Sequence, residues 1–256
     1  QQPRRADARE LADRSTGAIR RNYQDGLTLA YRALQRTYSG DQTITGEAHA
    51  TLYNTLTAPG RPLALLLGHK AEIKSIAFDN GGERLVTASA DGTVKLWDAQ
   101  GNLLADLIGH RGAVYSATFA PDDNRIVTAG RDGTARLWDL QGKQLAVMEG
   151  HTDRVLTAVF SPDGERILTA SWDKTARLWD KHGRSKEVLK GHRRPLNTAQ
   201  FDPAGSHIVT TSHDRTARLW DRDGGLLAVL EGHEGAVSSA TFSPLDGDTI
   251  RTGSTE

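Results

Sequence analysis

The chain has 256 residues, 32 lysines plus arginines against 32 aspartates plus glutamates, and no cysteine. Balanced charge removes the electrostatic case for a dedicated nucleic-acid or anionic-membrane binder, and the lack of thiols excludes disulfides and thiolate metal sites. No apolar run approaches the ~20 residues of a membrane span, and the charged stretch from Gln1 to Arg14 lacks the apolar core of a signal peptide, so a cytoplasmic protein without membrane insertion is expected.

In chain order, residues 1–59 read as an α-helical leader, with helices predicted over 4–23, 27–38 and 47–56. Leu27, Tyr31, Leu34 and Tyr38 recur at helical spacing before the stop at Gly40. Ala48, Leu52 and Leu56 share one face, with Thr45 placed as an N-cap. Pro59, Gly60 and Pro62 then mark a change to short strands and turns that runs from residue 60 to 256. The first residue is Gln1, which leads us to expect a processed chain or part of a longer one.

From residue 60 onward a Gly-His pair recurs every 41 residues, at Gly68-His69, Gly109-His110, Gly150-His151, Gly191-His192 and Gly232-His233. Trp-Asp keeps step at Trp97-Asp98, Trp138-Asp139, Trp179-Asp180 and Trp220-Asp221. A period of ~40 to 45 residues carrying both marks is the signature of four-stranded propeller blades. Within a repeat, the alternating segments 113–119 and 155–160 read as strand a and 125–129 and 166–170 as strand b. Segments 134–138 and 175–179 read as strand c, and 144–148 and 186–189 as strand d. A leading strand d is predicted over 63–67.

Four side chains hold constant phase in every complete repeat: His69, Thr87, Asp91 and Trp97; His110, Thr128, Asp132 and Trp138; His151, Thr169, Asp173 and Trp179; His192, Thr210, Asp214 and Trp220. Histidine, hydroxyl and aspartate suggest a hydrolase triad, but catalysis needs one accessible site, whereas this set is copied into every blade. A buried network fits better, with the imidazole accepting from the indole N–H and donating to the carboxylate while threonine closes the chain. One histidine and one aspartate per blade fall short of the three or four ligands a zinc site needs. No metal, cofactor or catalytic residue is expected. The basic row Lys95, Arg136, Arg177 and Arg218 on strand c reads as solvated or locally paired charge rather than a phosphate stripe.

These marks and tetrads resemble the WD-repeat family, over about residue 62 to the end. The resemblance implies an all-β propeller of four complete four-stranded blades and a partial fifth, and a non-enzymatic platform for a protein or peptide partner. Segment 48–67 also resembles the linker before WD-repeat arrays in bacterial multidomain signalling proteins. That implies, as an alternative, the ligand-sensing module of a larger nucleotide-hydrolysing or kinase protein. Top-face contacts in the family come from the third and fifth residues after the histidine and from the residue before the tetrad aspartate. Carried onto this chain they select Tyr115, Arg131, Arg154, Leu156, Trp172, Asn197 and His213 as partner contacts. Trp172 stands out as the one tryptophan outside the Trp-Asp series, and aromatic and arginine side chains dominate interface energetics. The fifth repeat departs from the beat: Arg251 occupies an otherwise aliphatic phase, Thr252 the threonine phase and Glu256 the aspartate phase, with no tryptophan after it. We expect from this a truncated array that would close with more blades. A carbohydrate or other small ligand in the central channel is a third possibility, with no in-phase aromatic expected to line it.

Overall fold

A computed structural model describes residues 66–243 and 249–255. The three predicted leader helices, the 244–248 turn and Glu256 lie outside the described residues. The described part is built of antiparallel strands. Blade one comprises β1 (Ile73–Phe78), β2 (Arg84–Ser89), β3 (Thr93–Asp98) and β4 (Leu103–Ile108). Blade two comprises β5 (Val114–Phe119), β6 (Arg125–Gly130), β7 (Ala135–Asp139) and β8 (Gln144–Met148). In blade three, β9 (Val155–Phe160), β10 (Arg166–Ser171), β11 (Ala176–Asp180) and β12 (Ser185–Leu189) follow. Blade four holds β13 (Leu196–Phe201), β14 (His207–Ser212), β15 (Ala217–Asp221) and β16 (Leu226–Leu230), and β17 (Ala236–Phe242) pairs with β18 (Ile250–Thr255) in a two-stranded fifth sheet.

Each complete sheet is ordered as the chain runs, so strands a to d follow one another by short turns. Leu66 and Leu67 are irregular rather than strand, and of the predicted leading strand only these two residues are described.

Strand b is buried on both faces, as its β-branched and small residues require: Val127 and Thr128 are both fully buried. One face of each blade meets the opposite face of the next. Val86, Ala88, Val94 and Leu96 of blade one pack on Val114, Ala117, Ile126 and Trp138 of blade two. The same phases pack between blades two and three and between three and four. Val209 and Ala217 meet Val237, Ala240 and Phe242 at the fifth. A repeat of this kind cannot bury its apolar faces alone, so the neighbour supplies the core. On blade one, where no preceding blade is among the described residues, Ile73 and Ile76, in phase with the buried Val114 and Ala117, are 40% and 58% exposed.

Candidate functional site

The tetrads form in all four complete blades. Trp97 Nε1–H donates to Thr87 Oγ1 (2.9 Å), Thr87 Oγ1 lies 2.8 Å from His69 Nε2, and His69 Nδ1 lies 3.2 Å from Asp91 Oδ2. The other three repeat this to within a few tenths of an ångström, His151 Nδ1 reaching Asp173 Oδ2 at 2.7 Å. A carboxylate only accepts, so Nδ1 carries the proton, Nε2 accepts from threonine and threonine accepts from the indole. The expected order is thereby corrected: the indole reaches the threonine hydroxyl, not the imidazole, because Trp on strand c lies diagonal to Thr on strand b, two residues from its own register partner. Thr87, Thr128, Thr169 and Thr210 are each 0% exposed. A hydroxyl that is sealed from solvent and already engaged with an indole has no route to a substrate.

A fifth member, in phase but missed in the sequence, completes each set. Thr93, Thr134, Thr175 and Thr216, two residues after each aspartate, donate through both backbone N–H and hydroxyl to Oδ1 of that aspartate. The other carboxylate oxygen accepts the backbone N–H of the residue after the histidine, as from Arg193 to Asp214. Burial works against ionisation of Asp214, but the hydrogen bonds from Thr216, Arg193 and His192 prevail and hold its pKa down to about 2. Asp91, Asp132 and Asp173 are lowered in the same way, burial again being outweighed by their donors. His192 is lowered by burial despite Asp214 beside it.

The glycine of each Gly-His mark has its own reason. Gly150 sits at φ 137°, where a Cβ would lie 2.6 Å from Arg177 Nη1, and Arg177 Nη2–H donates to its carbonyl at 2.7 Å. Three of the four cations in the strand c row are thus locally engaged, Lys95 with Asp106, Arg136 with Asp132 and Arg177 with the Gly150 carbonyl, while the Nε atoms of Arg136, Arg177 and Arg218 are enclosed with no acceptor among the described residues.

The tetrads also fix the loops on which the selected contacts sit. In each blade the residue before the aspartate donates its backbone N–H to the residue three after the histidine: Ala90 to Glu72, Arg131 to Ala113, Trp172 to Arg154, His213 to Pro195. In blade three this backbone pair carries an arginine and a tryptophan. The Arg154 guanidinium carbon lies 3.4 Å from the Trp172 ring centroid, a close cation–π stack. His213 of the next blade meets the same indole edge-on, with centroids 5.8 Å apart at 71°. Three selected residues from two blades therefore share one cluster. Trp172 is half-buried, and its Nε1–H is enclosed with no acceptor among the described residues.

Tyr115, Leu156 and Asn197 stand at a different kind of position. Each is the residue skipped in the a–b register, between Val114 and Ser116, Val155 and Thr157, and Leu196 and Thr198. Such β-bulges re-aim a side chain. Tyr115 and Leu156 are half-buried; Asn197 is committed, its Nδ2 donating to Val237 O of the fifth sheet at 2.8 Å. Arg131 is exposed and lies over Gly112.

Aromatic residues form a further set in phase. All five phenylalanines, Phe78, Phe119, Phe160, Phe201 and Phe242, recur at the 41-residue interval. They close strand a at the end opposite the tetrads and line a cavity of about 500 Å³ with Pro121, Pro162 and Pro203. Phe119, Phe160 and Phe201 also pack on the inter-blade cores, and Arg84 and Arg125 lie over Phe119 and Phe160. Packing therefore accounts for Phe119, Phe160, Phe201 and Phe242, while Phe78 is 64% exposed.

In the fifth sheet His233 Nε2 keeps its bond to Thr252 Oγ1 at 2.8 Å, and Arg251 is exposed. Among the described residues no helix is long and apolar enough to cross a membrane.

Comparison with known proteins gives local likenesses to fungal proteins. The chain is 43% identical over 53 residues to the Target of rapamycin complex subunit wat1 of Schizosaccharomyces pombe, covering 21% of this chain and 17% of that protein. It is 34% identical over 55 residues to the Target of rapamycin complex subunit LST8 of Saccharomyces cerevisiae, covering 22% and 18%. To the ASTRA-associated protein 1 of Pyricularia oryzae it is 50% identical over 40 residues, covering 16% and 8%. The matched stretches thus span under a fifth of each relative, and none of the three carries the name of a bacterial signalling protein. The model of the WD domain, G-beta repeat matches residues 60–98, 101–139, 142–180 and 183–221, each match ending on a Trp-Asp pair. With these four matches covering more than half of the chain and four tetrads in place, the chain belongs to the WD domain, G-beta repeat family.

Proposed function

We propose that this chain is a non-enzymatic scaffold that binds a protein or peptide partner on the face formed by its histidine loops and b–c turns. WD repeats generally mediate protein–protein interaction, and two of the relatives are by name subunits of a complex. The observation that carries the reading is the Arg154–Trp172–His213 cluster. No repeat of the fold requires it, since Ala90 and Arg131 fill the phase of Trp172 in blades one and two. It joins two blades and combines the residue types that anchor interfaces, and it holds an indole N–H without an acceptor, the sort of exception that calls for an explanation in function. On this reading the propeller domain spans residues 60–256.

The reading is tested by selecting peptides from a displayed random library against the chain and measuring them on Trp172→Ala. Affinity should fall by about 2 kcal/mol or more, the scale of an interface anchor. Stability should change by less than about 1 kcal/mol, because removing an unsatisfied N–H offsets part of the lost packing. Selected peptides that bind Trp172→Ala as tightly as the unchanged protein would overturn the reading.

A further inference from the structure

We infer that the partner presents an acidic polypeptide segment, whose carboxylates pair with Arg131, Arg154, Lys174, Arg193, Arg194 and Arg215. This rests on the reading of the histidine-loop face as the partner site and names what that face recognises. The chain as a whole is neutral, yet outside the tetrads the histidine loops and b–c turns hold Lys70, Arg111 and these six cations against Glu72, Asp153 and Glu234. The tetrad aspartates form no ion pair with these six, their oxygens being taken up by their own histidine, threonine and backbone donors.

The state of these cations separates them from most of those at the opposite end of the blades, where Lys143 and Arg184 alone of the c–d turn cations also lack an ion-pair partner among the described residues. There Arg84 pairs with Asp79, Arg125 with Asp122, Arg166 with Asp223, Lys181 with Glu165 and Arg222 with Asp163. Among the described residues none of the six cations named above has an ion-pair partner, and all but the half-buried Arg154 are exposed. Two of them are held in strained backbone. Lys174 and Arg215 adopt φ 74° and 73°, in the phase where blades one and two place Gly92 and Gly133 at φ 88° and 76°. Glycine is the residue that meets this conformation without steric cost, so blades three and four carry a long cation where the backbone favours none. Strain kept at one surface points to a use for the side chain.

The cluster also selects among ligand classes. Arg154 already covers one face of Trp172, so an incoming cation, such as a lysine side chain, meets a guanidinium instead of an open indole. A carboxylate can pair with that guanidinium while it stays stacked. Single-stranded nucleic acid relies on free aromatic faces for its bases, and the one indole on this surface has a face occupied by Arg154 and a flank by His213. An acidic polypeptide needs only the charges.

The test uses the full chain and three labelled probes: a peptide of alternating glutamate and glycine-serine, its glutamine counterpart, and an oligothymidine of equal charge. The acidic peptide should bind about tenfold or more tightly than the glutamine one, and should weaken several-fold as salt rises from about 0.05 to 0.3 M. Arg193→Gln with Arg194→Gln should weaken it several-fold with an unchanged urea midpoint, while Arg166→Gln at the far end should leave it unaltered. Equal binding of both peptides, with both lost in Trp172→Ala, overturns the acidic inference and leaves the partner face standing. Tighter binding of oligothymidine overturns it in favour of nucleic acid. Peptide binding that neither Trp172→Ala nor the double arginine variant weakens overturns both the inference and the reading beneath it.

Discussion

At the far end of the blades, turns are tied across blade boundaries: Arg166 reaches Asp223 and the carbonyl of Arg222, while Arg222 reaches Asp163. At the histidine-loop end the polar groups fall into two populations. The tetrads have every donor matched to an acceptor, whereas Arg131, Lys174, Arg193 and Arg215 have no ion-pair partner among the described residues, and Trp172 Nε1 has no acceptor there. Leaving a buried polar group unmatched costs free energy, and that cost falls on the enclosed Trp172 Nε1, as it does on the Nε atoms of Arg136, Arg177 and Arg218 and on Thr157 Oγ1, whereas the exposed cations keep their water. The unmatched groups, set among strained loop positions, are available to something else.

The contrast breaks most severely at Thr169, which links Trp179 to His151. Thr169→Val keeps the shape and strands both neighbours, and at about 1 to 3 kcal/mol for each orphaned group the urea midpoint should drop sharply. An unchanged midpoint would show that the tetrad does not hold the blade.

Acid should act on the tetrad aspartates of all four complete blades. Asp214 titrates at about 2 in the fold against an ordinary 3.8, so between these values the unfolded chain binds more protons and stability falls as pH drops through that window. His192 is lowered from an ordinary 6.5, so its contribution is complete above that pH and declines below it. Chemical denaturation should therefore give a midpoint that is level above pH 6.5, begins to fall below it and falls further under 3.8. Asp214→Asn should flatten part of the low-pH slope.

At the unmatched positions the sign reverses. Lys174→Gly relieves a left-handed backbone at a site where blades one and two already use glycine. It should stabilise the chain by about 0.5 to 1 kcal/mol, the left-handed penalty less the entropy glycine adds to the unfolded chain, while weakening an acidic partner. Smallest of all should be Arg166→Gln, which breaks an exposed cross-blade pair for less than about 1 kcal/mol and leaves binding alone.

Much of this architecture was legible because the repeat fixes phase and phase fixes position. The strands, blade boundaries and tetrad membership follow from spacing alone. The direction of the hydrogen bonds did not: whether an indole meets an imidazole or a hydroxyl depends on the cross-strand register, and Trp138 stands opposite Ile126, two residues from Thr128. Thr134 and its counterparts were in phase throughout, as were the five phenylalanines; a full tabulation of the 41-residue columns reveals both. Trp172 was visible as a departure from the beat. Its stacking partner was not, since Arg154 reaches it through a backbone pair that joins loops 18 residues apart in sequence. Left-handed Lys174 was hinted at only by the glycines in its column.

The central claim, that matched repeat groups hold the fold while the unmatched cluster meets the partner, is tested most directly by titrating one selected peptide into Thr169→Val and Trp172→Ala under conditions where both are folded. Thr169→Val should bind as the unchanged protein does despite its lowered midpoint, and Trp172→Ala should bind far more weakly at an undisturbed midpoint. The reverse pattern, with affinity lost at Thr169 and kept at Trp172, would contradict the division of roles.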